Sequence, residues 1–175
     1  MTVTFNAPTL DTARLTLRAP QIDDFDALAG FYASPRATFV GGPLTRELAW
    51  RTLAQEAGHW VLRGFGRWTV VEKASRSAVG IVGLWHPDGF PEQEIGWDLF
   101  DGATGKGYAT AAAMAARHFA YETLGWTTAI SLVADENAAS RGVAKRLGAQ
   151  QDGTFTHDRF GPMQIWRHPG PEALT

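Results

Sequence analysis

Gly102-Ala103-Thr104-Gly105-Lys106-Gly107-Tyr108-Ala109-Thr110 is the stretch from which the rest of the chain is best read. A strand-like run, residues 94–100, ends just before it, rich in Ile, Trp, Leu and Phe. A helical run begins inside it: residues 107–124 carry Ala at 109, 111, 112, 113, 115, 116 and 120, the best helix former, and Gly125 follows as a stop. A glycine-rich strand-to-helix turn of this kind suits an anion. Glycine lets the backbone approach a ligand closely, the first helical turn leaves N–H groups unpaired, and the helix dipole adds positive potential. The stretch therefore predicts phosphate binding by backbone, without a charged side chain.

Working outward, Arg14-Leu15-Thr16-Leu17-Arg18 alternates at period two as a half-buried strand and stops at Pro20. Ile22, Phe25, Leu28, Ala29 and Tyr32 recur at helical spacing, closed between Gly30 and Pro35. After Gly41-Gly42-Pro43, Thr45 reads as the N-cap of a longer helix through Leu48, Leu53, Ala57 and Trp60, stopped by Gly64 and Gly66. Strands follow at 66–72, 78–85 and 94–100, closely joined and hence antiparallel, with a turn at Pro87-Asp88-Gly89. Beyond the alanine-rich helix come a strand at 127–133, a helix at 138–147 stopped by Gly148, and a hairpin pairing 154–160 with 163–167. This order predicts an α/β domain (α+β in some schemes) on one mixed sheet.

With 175 residues, the chain reads as a single domain, 1–175, with a core at about 12–168. A composition of 45% hydrophobic and 19% charged residues is that of an ordinary globular protein. The absence of Cys excludes disulfides, thiolate metal sites and a cysteine nucleophile. A net charge of -2 and a pI of 6.2 argue against nucleic acid as a partner. No apolar run approaches the roughly 20 residues that span a bilayer, and Met1 to Leu10 lacks a signal-peptide pattern, so no membrane partner and a cytoplasmic location are expected. His59, His86, His118, His157 and His168 show no metal-ligand spacing, so no metal is expected. A Walker loop needs Gly and Ser or Thr where Phe100 and Gly107 stand, and the dinucleotide fingerprint is met only in part.

What remains resembles the GNAT N-acetyltransferase superfamily, whose loop reads Q/R-x-x-G-x-G/A between its fourth strand and the next helix. Gly105-Lys106-Gly107-Tyr108-Ala109-Thr110 looks like the version in the ribosomal-protein alanine N-acetyltransferase (RimJ/RimL-like) branch. Thr12-Ala13-Arg14-Leu15-Thr16-Leu17-Arg18 resembles that branch's opening strand, Glu94-Ile95-Gly96-Trp97 its fourth strand, and Asn137-Ala138-Ala139-Ser140 through Leu147-Gly148-Ala149 its N-x-x-S…LG segment. The chain departs from the pattern at Gly102, where Gln or Arg is usual, and at Ala144, where many members carry a tyrosine acid. Gly142 falls inside a predicted helix at a cost of about 1 kcal/mol relative to Ala.

The resemblance implies a largely antiparallel mixed sheet flanked by about four helices, and acetyl-CoA as cosubstrate without a metal. Asp98, Leu99 and Phe100 would pair with the pantetheine, Gly105, Lys106, Gly107, Tyr108, Ala109 and Thr110 would hold the pyrophosphate, and Asn137 would touch the pantetheine arm. Glu94 stands where many members carry a base, and Ser140 where that branch carries a candidate acid for the thiolate. Each has a plainer reading: Glu94 as a strand carboxylate paired with Arg, Asn137 as a helix N-cap, Ser140 as first-turn support. Arg141 and Lys145, four apart, meet phosphates or water, and Trp50, Trp60, Trp68, Trp85 and Trp97 serve as core or acceptor wall.

The implied reaction is direct acetyl transfer to a primary amine in a ternary complex, with a backbone N–H near Asp98 for the oxyanion. A protein N-terminal α-amine is the implied acceptor. Near pKa 7.8 such an amine is more than about 10% neutral at pH 7, against under about 0.1% for lysine, so it asks little of a base. The alternatives are a small-molecule amine acceptor and a non-catalytic acyl-CoA sensor. The resemblance also admits a homodimer.

Overall fold

The computed structural model describes residues 6–174. Met1 to Phe5, read above for a signal, and Thr175, the last residue of the single-domain reading, lie outside the described residues. One eight-stranded sheet runs through the protein in the order β1-β2-β3-β4-β5-β6-β8-β7, where β1 is Leu10–Asp11, β2 Leu15–Arg18, β3 Arg67–Glu72, β4 Ala78–Trp85, β5 Glu94–Leu99, β6 Ile130–Ala134, β7 Gln150–His157 and β8 Gly161–Arg167. Every neighbouring pair is antiparallel except β5 and β6. The α-helices are α1, Phe25–Ala33, α2, Arg46–Arg63, α3, Tyr108–Glu122, and α4, Ala138–Arg146. The mixed, largely antiparallel α/β architecture is therefore the observed one.

Register sorts the sheet into two faces. Leu17, Val70, Trp68, Val82, Leu84 and Ile95 turn to α3, whose Ala109, Ala112, Ala113, Ala116 and Ala120 are all buried in the same cluster. Methyl side chains let α3 lie close on β4 and β5. On the opposite face Ile81 packs with Phe100 beneath Leu28, Phe31 and Tyr32 of α1 and Ala49 and Leu53 of α2. That second face also carries Arg67, Trp85, Glu94 and Asp98, because Trp85 is opposite Glu94 and Ile81 opposite Asp98. Thr45 caps α2 by accepting from the Leu48 N–H at 3.3 Å, and Gly64 ends it at φ 76°.

Several boundaries differ from the sequence expectation. β1 is additional, so the strand expected as the fourth is β5. Gly30 lies inside α1, which runs on to Ala33 before Pro35 bars it, while Ile22 sits in a 3-10 turn and is 61% exposed. α3 ends at Glu122, with Gly125 two residues beyond its C-cap Thr123. β6 starts at Ile130 because its parallel partner offers its first acceptor at Gln93. The final hairpin is longer than expected and turns at residues 158–160, with a register shift between Gln151 and Thr154. Trp50 belongs to neither core nor acceptor wall, being 49% exposed with its ring edge-on to Phe25. Among the described residues no helix is long and apolar enough to cross a membrane, and no cluster of three His, Asp or Glu side chains is placed to hold a metal ion.

Candidate active site

β5 and β6 begin as neighbours and then part. Ile130 N–H donates to Gln93 O at 3.0 Å, and the strands register at Glu94 and Ile130. The next ladder donor, Leu132 N–H, turns instead to the Glu94 carboxylate at 3.1 Å. Ile95 O, the acceptor left over, takes the Ser131 hydroxyl at 2.6 Å. Two side chains thus replace one backbone bond, and a cavity of about 270 Å³ opens where the strands diverge. Ser131 is itself pinned from behind. Its hydroxyl proton is spent on Ile95, so His168 Nε2, 2.9 Å away, must be the protonated nitrogen, and His168 Nδ1 accepts from Arg117 at 3.3 Å. Burial, with Arg117 adding to it, pushes the His168 imidazole down to about 3 and keeps it neutral.

Splaying leaves one edge of β5 open. Phe100 N–H donates to Val79 O at 2.9 Å, so antiparallel alternation turns the backbone of Gly96 and Asp98 toward β4 as well. The backbone of Ile95, Trp97 and Leu99 faces the gap, as the Ser131 bond on Ile95 O and the Arg36 bond on Leu99 O at 2.9 Å both require. Of the trio expected to meet pantetheine, only Leu99 offers a backbone N–H to the gap, joined by Trp97. Asp98 and Phe100 spend theirs on β4, and the Phe100 ring lies in the core 5.7 Å from Phe31.

Glu94, Asp98, Asn137 and Ser140 all line the cavity. Glu94 is 8% exposed, and burial pushes its carboxyl up to about 7 against the pull of the Leu132 N–H. Asp98 accepts from Arg67 Nη1 at 2.8 Å and from the Tyr32 hydroxyl at 3.2 Å. Arg67 Nε binds Glu56 at 3.1 Å, and Nη2 makes a second, shorter bond to the same carboxylate. Although burial opposes its charge, these two acids hold the guanidinium well above its ordinary range. Glycine makes the room for its strand: Gly83 stands opposite Arg67 in the register, and a Cβ there would come 2.8 Å from Arg67 Cα.

Asn137 caps α4, its Oδ1 accepting from the Ser140 N–H at 3.1 Å. Ser140 Oγ in turn accepts from Trp97 Nε1 at 3.2 Å, which leaves its own O–H free to donate.

Residues 105–110 do not line this cavity. Gly102, Gly105 and Gly107 adopt φ of 74°, 77° and 78°, a left-handed run that only glycine enters cheaply, and the first helical N–H groups of α3 follow. The turn is held from below: Arg14 Nη2 donates to Lys106 O at 2.7 Å, and the Tyr108 hydroxyl bonds Glu72. Lys106 Nζ stands 4.0 Å from Glu72, Ala109 is buried in the α3 core, and Thr110 Oγ1 accepts from Arg146 at 3.3 Å. Arg141, left between phosphate and water, bonds the Asp135 carbonyl.

Tyr32, Glu56, Arg67, Ser131 and His168 were not found by sequence reasoning. No spacing links them, and only the register of β3 to β6 and the fold-back of residue 168 bring them together. The one available signal was Arg67 at the start of an apolar strand.

Comparison with known proteins places these features in a family. The family model for the acetyltransferase (GNAT) domain matches residues 14–150. An acetyltransferase from Agrobacterium tumefaciens str. C58 is 36% identical, with 96% of this chain and 98% of that one covered and a TM-score of 0.85. The uncharacterized N-acetyltransferase p20 of Bacillus licheniformis is 28% identical over 149 residues, 83% of this chain and 84% of the relative. The ribosomal-protein-S5-alanine acetyltransferase of Vibrio fischeri is 16% identical with a TM-score of 0.72, over 95% of this chain and 98% of that one, and shares the fold. A splayed parallel strand pair, a glycine turn ahead of α3 and a family model spanning 14–150 lead to one conclusion: the chain belongs to the GNAT acetyltransferase family and is an acyl-CoA-dependent N-acetyltransferase.

Proposed function

We propose that the protein transfers an acetyl group from acetyl-CoA directly to a primary amine, with Glu94 as general base and Ser140 as proton donor to sulfur. The observation that carries this reading is that Glu94 stands, buried, at the point where β5 leaves β6, in the same cavity as Ser140 and Asn137. The chain's donors suit the cosubstrate. Trp97 and Leu99 present unpaired N–H groups along the gap, and the left-handed glycine turn presents those of residues 107–110 to an anion. Acetyl-CoA supplies a thioester carbonyl open to attack and a thiol that can leave.

Glu94, with its carboxyl near 7, takes the proton that the amine sheds as nitrogen bonds to carbon. The C–N bond replaces the C–S bond, the Ser140 hydroxyl gives a proton to the departing sulfur and regains one as Glu94 releases its own through solvent, and the products are an amide and a free thiol. The open-edge N–H groups of Trp97 and Leu99, not that of Asp98, are available to a developing oxyanion. Arg67, tied to Glu56 and Asp98, fixes the floor on which the amine rests. For the acceptor, the resemblance to the ribosomal-protein branch favours a protein N-terminal α-amine, while the hairpin contacts that narrow the cavity favour a small amine.

A thiol-release assay over an amine and peptide panel, with calorimetry of acetyl-CoA, tests the reading. Gly105→Asp should abolish acetyl-CoA binding, by adding a negative charge and a strained left-handed residue. Glu94→Gln with Ser140→Ala should keep the binding and lose about 100-fold or more in turnover. Unchanged turnover in that double variant overturns the assigned roles, and an acetylated protein formed during turnover overturns direct transfer.

A further inference from the structure

The acceptor half of the cavity is roofed. The tip of the β7–β8 hairpin reaches across to the segment before α2: Arg159 Nη2 lies 3.5 Å from Gly41 O, and a Cβ on Gly41 would come within 2.9 Å of both Arg159 and Phe160. The same tip touches the β4–β5 connection, where the Phe90 ring is 5.0 Å from His157, itself 4.7 Å from Phe160. Phe39, Val40 and Leu44 face this cluster across the cavity, and Trp85 forms part of the floor. An extended polypeptide entering such a site would have to part the contacts to Gly41 and Phe90, which narrow it on both sides.

Charge narrows the acceptor further. A buried cation needs a buried anion, and a buried carboxylate needs a buried donor. Here the single Arg67 guanidinium is shared by two acids, Glu56 and Asp98, so no buried cation is left over. Only Glu94 is left among the buried charges that line the cavity, and it has one proton to take. Asp88 and Arg159 are exposed at the mouth. A second ammonium on the acceptor would find, beyond Glu94, no buried carboxylate that is not already bonded to Arg67, and an α-carboxylate would meet three buried acids and no free guanidinium. Aromatic side chains, by contrast, offer edges and faces to a ring at low entropic cost.

We propose that the acceptor is a small monoamine whose body is an uncharged aromatic ring, held between the hairpin tip and the β4–β5 connection with its amine toward Glu94. This rests on the N-acetyltransferase reading of the same cavity. The test compares 2-phenylethylamine with phenylalanine, spermidine and an alanyl hexapeptide. Two readouts are taken: kcat/KM from thiol release, and tryptophan fluorescence on titrating each amine without acetyl-CoA. Calorimetry of acetyl-CoA runs alongside.

2-Phenylethylamine should exceed each of the others at least tenfold in kcat/KM and should alone perturb the fluorescence at sub-millimolar concentration. Phe160→Ala, and independently Phe90→Ala, should raise its KM about tenfold, with kcat within threefold and acetyl-CoA affinity unchanged. Preference for the hexapeptide, for spermidine or for phenylalanine overturns the proposal. So does a protein that binds acetyl-CoA yet neither acetylates nor binds 2-phenylethylamine. A protein that fails to bind acetyl-CoA overturns the underlying reading instead.

Discussion

At Glu94 one carboxylate holds the strand gap and is the proposed acceptor of the amine proton, and its protonation couples the two. Burial raises its pKa from 4.5 to about 7. The folded state therefore favours the protonated form, so the stabilisation is full below about pH 4.5 and is lost as pH rises through about 7. Glu94→Gln keeps an oxygen for the Leu132 N–H and has no charge to bury. Its melting temperature should fall less than the wild type's between about pH 5 and about pH 8, as thermal melts at matched ionic strength will show, and an identical pH dependence would contradict the burial argument. Glu94, Asn137 and Ser140 were legible as cavity residues through the resemblance of their segments to the family, and Asn137 also as a helix N-cap. Asn137 keeps its plain role as N-cap and lines the cavity as well, so the two readings of that residue do not compete. Nothing in the structure explains Gly142, where a Cβ would meet only the end of the Arg146 side chain at 3.4 Å.

Among the elements, the parting of β5 from β6 matters most, and it was not legible. Periodicity finds a strand and its faces, but it is blind to which ladder bond a side chain will replace. Leu132 to Glu94 and Ser131 to Ile95 are such replacements, supported from behind by His168 and Arg117. Ser131→Ala removes the hydroxyl that satisfies both Ile95 O and His168 Nε2–H. Leaving buried polar groups unpaired costs about 1–3 kcal/mol each. The variant should lose about 2 kcal/mol in denaturant unfolding. Its KM for acetyl-CoA should rise several-fold with a smaller change in kcat, because the gap and not the base has shifted. Ser131→Thr, which keeps the hydroxyl, should recover most of both. Loss of kcat alone would mean that Ser131 acts on the chemistry and not on the gap.

For the molecule as a whole, element order was enough for an α/β domain on one mixed sheet, since each hydrophobic period left a face to cover. It was not enough for the acceptor side. That region is assembled from a turn at 35–44, a connection at 86–93 and a hairpin tip at 158–160, three loops with no shared spacing. Their meeting depends on the hairpin being longer than its alternation suggests, with Gly153 and Gly161 at positive φ shaping it. Arg67 shows the same limit: its partners Glu56 and Asp98 are 11 and 31 residues away, joined only by α2 lying across the sheet.

The central claim is that a buried carboxylate at the strand gap takes the amine proton. The most direct measurement is the pH dependence of kcat, at saturating acetyl-CoA, for the wild type and Glu94→Gln with an amine selected by the thiol-release panel. The wild type should rise with an apparent pKa near 7, and the Gln variant should run about 100-fold slower without that inflection while binding acetyl-CoA as tightly. A Gln variant that keeps both the rate and the inflection would contradict the account.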